Sequence, residues 1–162
     1  VLQDVAVKLD LRTNSFDVNT GAGIKVLEGS RVFNFAWKLG NGEEEKFVNC
    51  NQFRYYEGRL SGFCKVTGQS LQLITRYDAA LVKANYNVAL DVGSKKDRWT
   101  RQAHLFLLQG DGLIRFSRRS FFKAVGGKER AVRKYISDEG LTLSKEEDVQ
   151  KAVLFYNTLS GE

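Results

Sequence analysis

Leu105-Phe106-Leu107-Leu108-Gln109-Gly110-Asp111-Gly112-Leu113-Ile114-Arg115-Phe116-Ser117 runs directly into Arg118-Arg119-Ser120-Phe121-Phe122-Lys123-Ala124-Val125. The first part reads as strand, glycine-bearing turn and strand, which is a hairpin. Past Ser117 the apolar spacing changes from two residues to about 3.6, the period of a helix. The boundary between a β-rich part and a helical tail therefore lies at about residue 117, and the chain reads as α+β.

Upstream, a second segment has the same form. Phe63 to Thr67 is followed by Gly68, and then by Leu71 to Arg76. The two units share few identities and suggest an antiparallel meander more than a true repeat. Farther back, Val5, Val7 and Leu9 alternate with polar residues, and Phe16, Val18, Ile24, Val26 and Val32 to Trp37 continue the pattern. Period-two alternation of β-branched and aromatic residues predicts half-buried strands. Breaks at Asn19-Thr20-Gly21, Glu28-Gly29-Ser30 and Gly40-Asn41-Gly42 carry turn chemistry.

Downstream, the spacing predicts three short helices. The first covers Arg119 to Val125 and stops at Gly126-Gly127. The second runs from about Lys128 to Glu139, with Val132, Tyr135 and Ile136 on its apolar face and Gly140 suited to a left-handed C-terminal cap. The third starts at Ser144, where Ser144 and Glu147 fit a capping box, and buries Val149, Ala152, Val153 and Tyr156. Leu141 and Leu143 should plug into the core between them. The expected architecture is a single domain, 1–162. An antiparallel meander or partly closed barrel occupies about 1–117, and the three helices of 118–160 pack on it.

The 162-residue length suits one domain with its own core. There is no proline, where average usage of about 5% would give roughly eight, so glycine, asparagine and aspartate must make the turns. There is no methionine, so the chain is not expected to begin at an initiator. Apolar runs are far shorter than the roughly 18 to 20 residues that span a bilayer, and no transmembrane segment is expected.

The chemistry-bearing residues are sparse. His104 is the only histidine and lies on a strand, where a structural or surface role outranks a catalytic one. No Gly-x-Ser-x-Gly elbow occurs, and the His and Cys content matches no zinc pattern. Asp91 and Asp97 bracket two lysines that would repel calcium, and Glu43-Glu44-Glu45 reads as a solvated turn. Gly21-Ala22-Gly23 lacks the third glycine of a dinucleotide fingerprint. Gly126-Gly127-Lys128 is followed by Glu129, where a P-loop needs Ser or Thr. No catalytic residue, metal or cofactor is expected, and a hydrolase ranks last among the readings.

Cys50 and Cys64 could close a loop of about 15 residues, adding roughly 3 kcal/mol in the chain-entropy model. The preferred reading is two separate buried thiols acting as small hydrophobes.

Charge is uneven. Lys95 to Lys134 holds twelve Lys or Arg against three acids, a net +9 that leaves −3 for the rest of the +6 chain. Arg101, Arg115, Arg118, Arg119, Lys123, Arg130, Arg133 and Lys134 could form a polyanion-binding face with interleaved aromatics. The competing reading is an ordinary solvated helix face, and nucleic acid is disfavoured. Exposed aromatics are the other lead. If Trp37, Tyr55, Tyr56, Tyr86 and Trp99 lined an open groove, they would form a ligand site.

Several segments, in order, resemble a family. They are Asn85 to Asp97, the strand His104 to Leu108, Gly112 to Val125, and Tyr135-Ile136-Ser137 to Leu141 through Val149, ending at Tyr156 to Leu159; Val26-Leu27-Glu28-Gly29 and Lys46-Phe47-Val48-Asn49 fit the same pattern. Their order resembles a group of uncharacterised exported proteins of Bacteroidetes-type bacteria. The resemblance implies an extracytoplasmic location, in the periplasm or associated with the outer membrane, with a signal peptide removed. It carries no activity and no catalytic residues, and the cysteines are not part of the shared pattern. Together with the scarcity of acid–base machinery, it makes a non-catalytic envelope module the leading expectation. The partner would be an envelope protein, a glycan or a lipid-like ligand, with polyanion binding as the alternative.

Overall fold

The computed structural model describes Gln3 and residues 5–160. Among the described residues, ten strands form two sheets. The small sheet is antiparallel, in the order β1 (Val7–Asp10), β2 (Ser15–Asn19), β3 (Ile24–Glu28). The large sheet contains β4 (Asn34–Lys38), β5 (Glu44–Asn49), β6 (Arg54–Tyr55), β7 (Phe63–Thr67), β8 (Leu73–Val82), β9 (Arg98–Gln109) and β10 (Gly112–Arg115). Its order is β4-β5-β7-β8-β9-β10-β6, antiparallel except for the short parallel pairing of β10 with β6. The described strands do not close into a barrel. Both sequence-read hairpins are present, as β7–β8 and β9–β10.

Three helices follow: α1 (Arg118–Val125), α2 (Glu129–Asp138) and α3 (Glu146–Ser160). Helix α1 has a reciprocal cap. The Ser120 amide donates to Ser117 Oγ at 3.0 Å, and the Ser117 amide donates to Ser120 Oγ at 2.8 Å. Helix α2 ends in a Schellman motif: Leu141 N–H donates to Ile136 O, and Gly140, at φ 61°, donates to Ser137 O. The expected capping box at Ser144 is corrected, because α3 begins two residues later. Its entry is set by Asp148, whose carboxylate accepts the Thr142 amide at 2.8 Å. The acidic first turn, Glu146, Glu147 and Asp148, suits the positive end of the helix dipole.

Alternation along β8 assigns the two faces of the large sheet. Leu73 joins the helix-side core with Leu107, Phe121, Val132, Val149 and Val153, while Ile74 points the other way, to Phe106, Leu113, Cys50 and Cys64. Each such fully buried apolar side chain contributes about 1.5–3 kcal/mol. The small sheet packs on the same face as the helices. There Phe16 and Val18 meet Phe47 and Phe63, with Phe35 stacked on Phe47 at 4.7 Å. Ile24 and Val26, read from sequence as half-buried, point outward and are exposed, because the small sheet has a partner on one side only. Thr75 Oγ1 is buried and has no hydrogen-bond partner among the described residues.

The reading of two free thiols is overturned: Cys50 and Cys64 form a disulfide. The cause lies in the topology. Strands β5 and β7 pair antiparallel, with Val48 opposite Cys64, and the loop between them must return to where it left. That brings the two Cα atoms to 5.3 Å, within the bonding range.

Asn157, on α3, ties the helices to the β7–β8 turn. Its Oδ1 accepts the amides of Gln69, Ser70 and Leu71 at 3.1, 2.6 and 3.1 Å. Its Nδ2 donates to Leu71 O and Val153 O at 2.9 and 2.8 Å. Gly68 is required at this turn, because a Cβ there would lie 2.3 Å from Leu71 O.

Candidate functional site

Among the described residues, two strand edges are left open beside one another. Asn49 N–H donates to Phe33 O and Leu39 N–H to Glu43 O, both at 2.8 Å, so the odd-numbered residues of β4 turn their main-chain groups toward β5. Antiparallel pairs alternate, so Asn34 and Ala36 turn theirs away, toward the free edge. On β1, Asn19 N–H donates to Ala6 O, so Val7 and Leu9 turn theirs away from β2 by the same alternation. Both strands are terminal in their sheets.

These edges line one cleft of about 1090 Å³. Val5, Ala6 and Val7 form one wall, and Asn34 to Lys38 form the other. Successive residues of each segment contribute, not alternate ones, so the cleft runs along strand edges and not over a single sheet face. Phe16, Val18, Leu27 and Phe35 supply an apolar floor, and Phe33 stands at the opening, 77% exposed. Among the described residues, the charged side chains lining the cleft are those of Arg31 and Lys38.

The five aromatics do not share a groove. Trp37 lies in the cleft, half-buried, with its ring 5.8 Å from Phe35 and 6.2 Å from Phe47. Tyr55 and Tyr56 are at β6, the opposite edge of the large sheet. Tyr55 packs on Phe106 and donates to Glu57 Oε2 at 2.7 Å, a bond that raises its pKa. Tyr56 is exposed, with the Arg54 guanidinium 6.0 Å over its ring. Tyr86 lies in the β8–β9 loop beneath Lys95, and Trp99 lies on β9 with Arg12 5.3 Å over its ring.

The basic residues are brought together only in part. Arg118 of α1 and Arg133 of α2 converge on the Phe122 ring, at 5.8 and 3.6 Å. Arg130 and Lys134 rim a shallow hollow between α2 and Leu159. Arg133 and Lys134 are ion-paired along the helix with Glu129 and Asp138. Arg115, Arg119 and Lys123 are exposed around α1. Arg101 stands apart on β9, 4.6 Å over the Tyr77 ring.

A polar cluster that the sequence did not reveal lies between the large sheet and α3. Lys65 Nζ donates to Glu45 Oε1 at 2.7 Å and to Gln150 Oε1 at 3.5 Å. Gln150 Nε2 donates to Glu146 Oε1 at 2.9 Å, and the Tyr77 hydroxyl donates to the same oxygen. Burial first, and then this bond to Glu146, push the Tyr77 pKa far upward, so its proton is held. Neither described cleft reaches the cluster, and its members satisfy one another, so it clasps α3 to the sheet. On the other face, His104 Nε2 pairs with Asp78 at 3.2 Å, and Arg76 holds the same carboxylate at 2.7 Å. Among the described residues no three His, Cys, Asp or Glu side chains converge in a metal-binding group.

No protein-family model, no curated protein and no solved structure matches this chain.

Proposed function

We propose that this protein is a non-catalytic extracytoplasmic envelope module that receives an extended segment of a partner protein in the cleft between β1 and β4. The observation that carries the reading is the pair of open strand edges on a single apolar cleft. Main-chain donors and acceptors at Asn34, Ala36 and Val7 call for an occupant with N–H and C=O groups of its own. A polypeptide strand has them, and a lipid tail does not. The five residues of β4 give a run of about 17 Å for such a strand. Phe33, Val7 and Trp37 offer contacts to alternate apolar side chains, and the Arg31 charge favours a segment with an acidic flank. An uncovered apolar edge is otherwise a liability for aggregation. A glycan platform finds less support, because the five aromatics are spread over the molecule. The disulfide and the family resemblance both support an oxidising compartment outside the cytoplasm.

Ala36→Pro is the clean perturbation. Its ring removes an N–H that points into the cleft and leaves the β5 ladder bonded through Phe35 and Trp37. Peptides selected by display on the wild-type protein should alternate apolar residues and should lose at least about tenfold in affinity for the proline variant. Selected peptides that bind both proteins equally would sink the reading, as would a selection that yields no alternating sequences.

A further inference from the structure

Strand β7 pairs with β8 only through Arg76, and β10 pairs with β9 only from Phe106 onward. From Tyr77–Val82 and Arg98–Ala103, β8 and β9 therefore pair only with each other. This two-stranded arm, about 20 Å of strand, is extended by the loop 83–97. The loop is ordered by its own bonds. Asn87 N–H donates to Val92 O at 2.8 Å, Asn85 N–H to Ser94 O at 3.0 Å, and Ser94 N–H to Asn85 Oδ1 at 2.9 Å. Asn87 Oδ1 accepts the amides of Ala89 and Leu90 at 3.0 and 3.3 Å.

At the tip three aliphatic side chains face solvent: Val88 at 81% exposure, Leu90 at 68% and Val92 at 55%. Behind them stand Lys83, Lys95, Lys96 and Arg98, and Trp99 follows on β9, 54% exposed. The carboxylates in the loop are both engaged. Asp97 accepts the Ala84 amide at 2.7 Å and pairs with Lys83, bonds that lower its pKa, and Asp91 accepts the Tyr86 hydroxyl. Lys95 Nζ lies 4.2 Å over the Tyr86 ring.

We propose that the tip of the β8–β9 arm is an interfacial anchor that docks on an anionic lipid bilayer. An apolar tip with a cationic collar matches the acyl boundary and the charged headgroups in turn. The tip's main-chain groups named above are already paired, which lowers the cost of leaving water. A convex tip of three small side chains falls far short of the roughly 800 Å² that one partner gives to a standard protein interface. A deformable bilayer needs no complementary pocket. This anchor is independent of the proposed strand-binding cleft.

The test is co-sedimentation of the whole protein with vesicles of phosphatidylcholine containing about 30 mol% phosphatidylglycerol, with pure phosphatidylcholine as reference. Binding to the anionic vesicles should exceed that to the neutral ones by about tenfold or more and weaken strongly by about 0.5 M salt. The triple variant Val88→Ser, Leu90→Ser, Val92→Ser should lose about tenfold or more, and so should Lys95→Ala with Lys96→Ala. All five positions lie in the exposed loop, and unchanged melting temperatures would confirm that both variants fold. Arg118→Glu with Arg119→Glu, on α1, should stay within about twofold of wild type. The proposal is overturned if wild type does not prefer anionic vesicles, if the arm variants bind like wild type, or if the α1 variant loses as much as they do.

Discussion

The Cys50–Cys64 disulfide supports both the fold and the compartment, so its contribution can be worked through. Both cysteines are fully buried, and the bond closes a loop between two adjacent antiparallel strands. Closing about 15 residues in the unfolded chain is worth roughly 3 kcal/mol. For a domain of this size each kcal/mol moves the melting temperature by about 2–4 °C, so reduction should lower it by about 6–12 °C. With a urea slope of about 2 kcal/mol/M, the midpoint should fall by about 1.5 M. The assay is paired urea titration of oxidised protein and of protein unfolded, reduced and refolded in reductant. The double variant Cys50→Ala, Cys64→Ala should lose somewhat more, about 3–5 kcal/mol, because it also empties the sulfur volume. Two titratable thiols per chain in unreduced, denatured protein would refute the bond outright. A midpoint shift below about 0.3 M would refute the entropic argument while leaving the bond intact.

Two further outcomes follow from the helix–sheet contacts. Asn157→Ala strips three amides and a carbonyl of the β7–β8 turn of their partners. With water taking over part of the exposed side, it should cost about 3 kcal/mol in urea unfolding, and a cost below about 1 kcal/mol would mean the turn holds itself. Tyr77 should give an alkaline signature. Its folded pKa is raised above the ordinary value of 10.0, so the folded state retains a proton that the unfolded chain gives up. That contribution is intact below pH 10 and is lost progressively as the pH rises beyond it. Unfolding free energies at about pH 8.5 and 11 should therefore diverge more in wild type than in Tyr77→Phe. Equal slopes would show that the buried hydroxyl is not what the cluster protects.

What the sequence made legible was local. The Gly68 and Gly110 turns, each between two alternating runs, were enough to place both hairpins, and Gly140 marked a helix end that only a left-handed residue could close. The Ser117–Ser120 cap is not legible in the sequence because its second member is a serine, whereas the recognisable box has Glu or Gln there. Ser144 misled for the opposite reason: it fits the pattern, yet Asp148 sets the entry to α3 by reaching back to Thr142. Alternation said that Ile24 and Val26 share a face but not whether anything covers it. Pairing partners were not legible at all. Cys50 and Cys64 gave a spacing without a register, and Glu45, Lys65 and Gln150 meet across separations of 20 and 85 residues. The cleft depends on which strands end a sheet. That is fixed by the long-range order β4-β5-β7-β8 and not by anything within β4.

That strand order also keeps the two proposed activities apart. Three inter-strand spacings separate β4 from β8, about 14 Å across the sheet, and the arm carries its tip farther away along the strand direction. Neither site borrows a residue from the other, since Asn34 to Lys38 line the cleft and residues 83–98 form the tip and collar. A module docked by its arm would still present the β1–β4 cleft to a partner strand. A peptide selected on the free protein should then bind vesicle-bound protein with affinity unchanged within about twofold, because the contacts between the arm and the small sheet, Arg12 over Trp99 and Tyr77 beside the Phe16 cluster, lie outside both the cleft lining and the tip. Ala36→Pro should abolish the peptide and spare the vesicles, and the Val88, Leu90, Val92 variant should do the reverse. If either variant removed both activities, the arm and the cleft would have to be one surface, and a single partner touching both would replace the two-site reading.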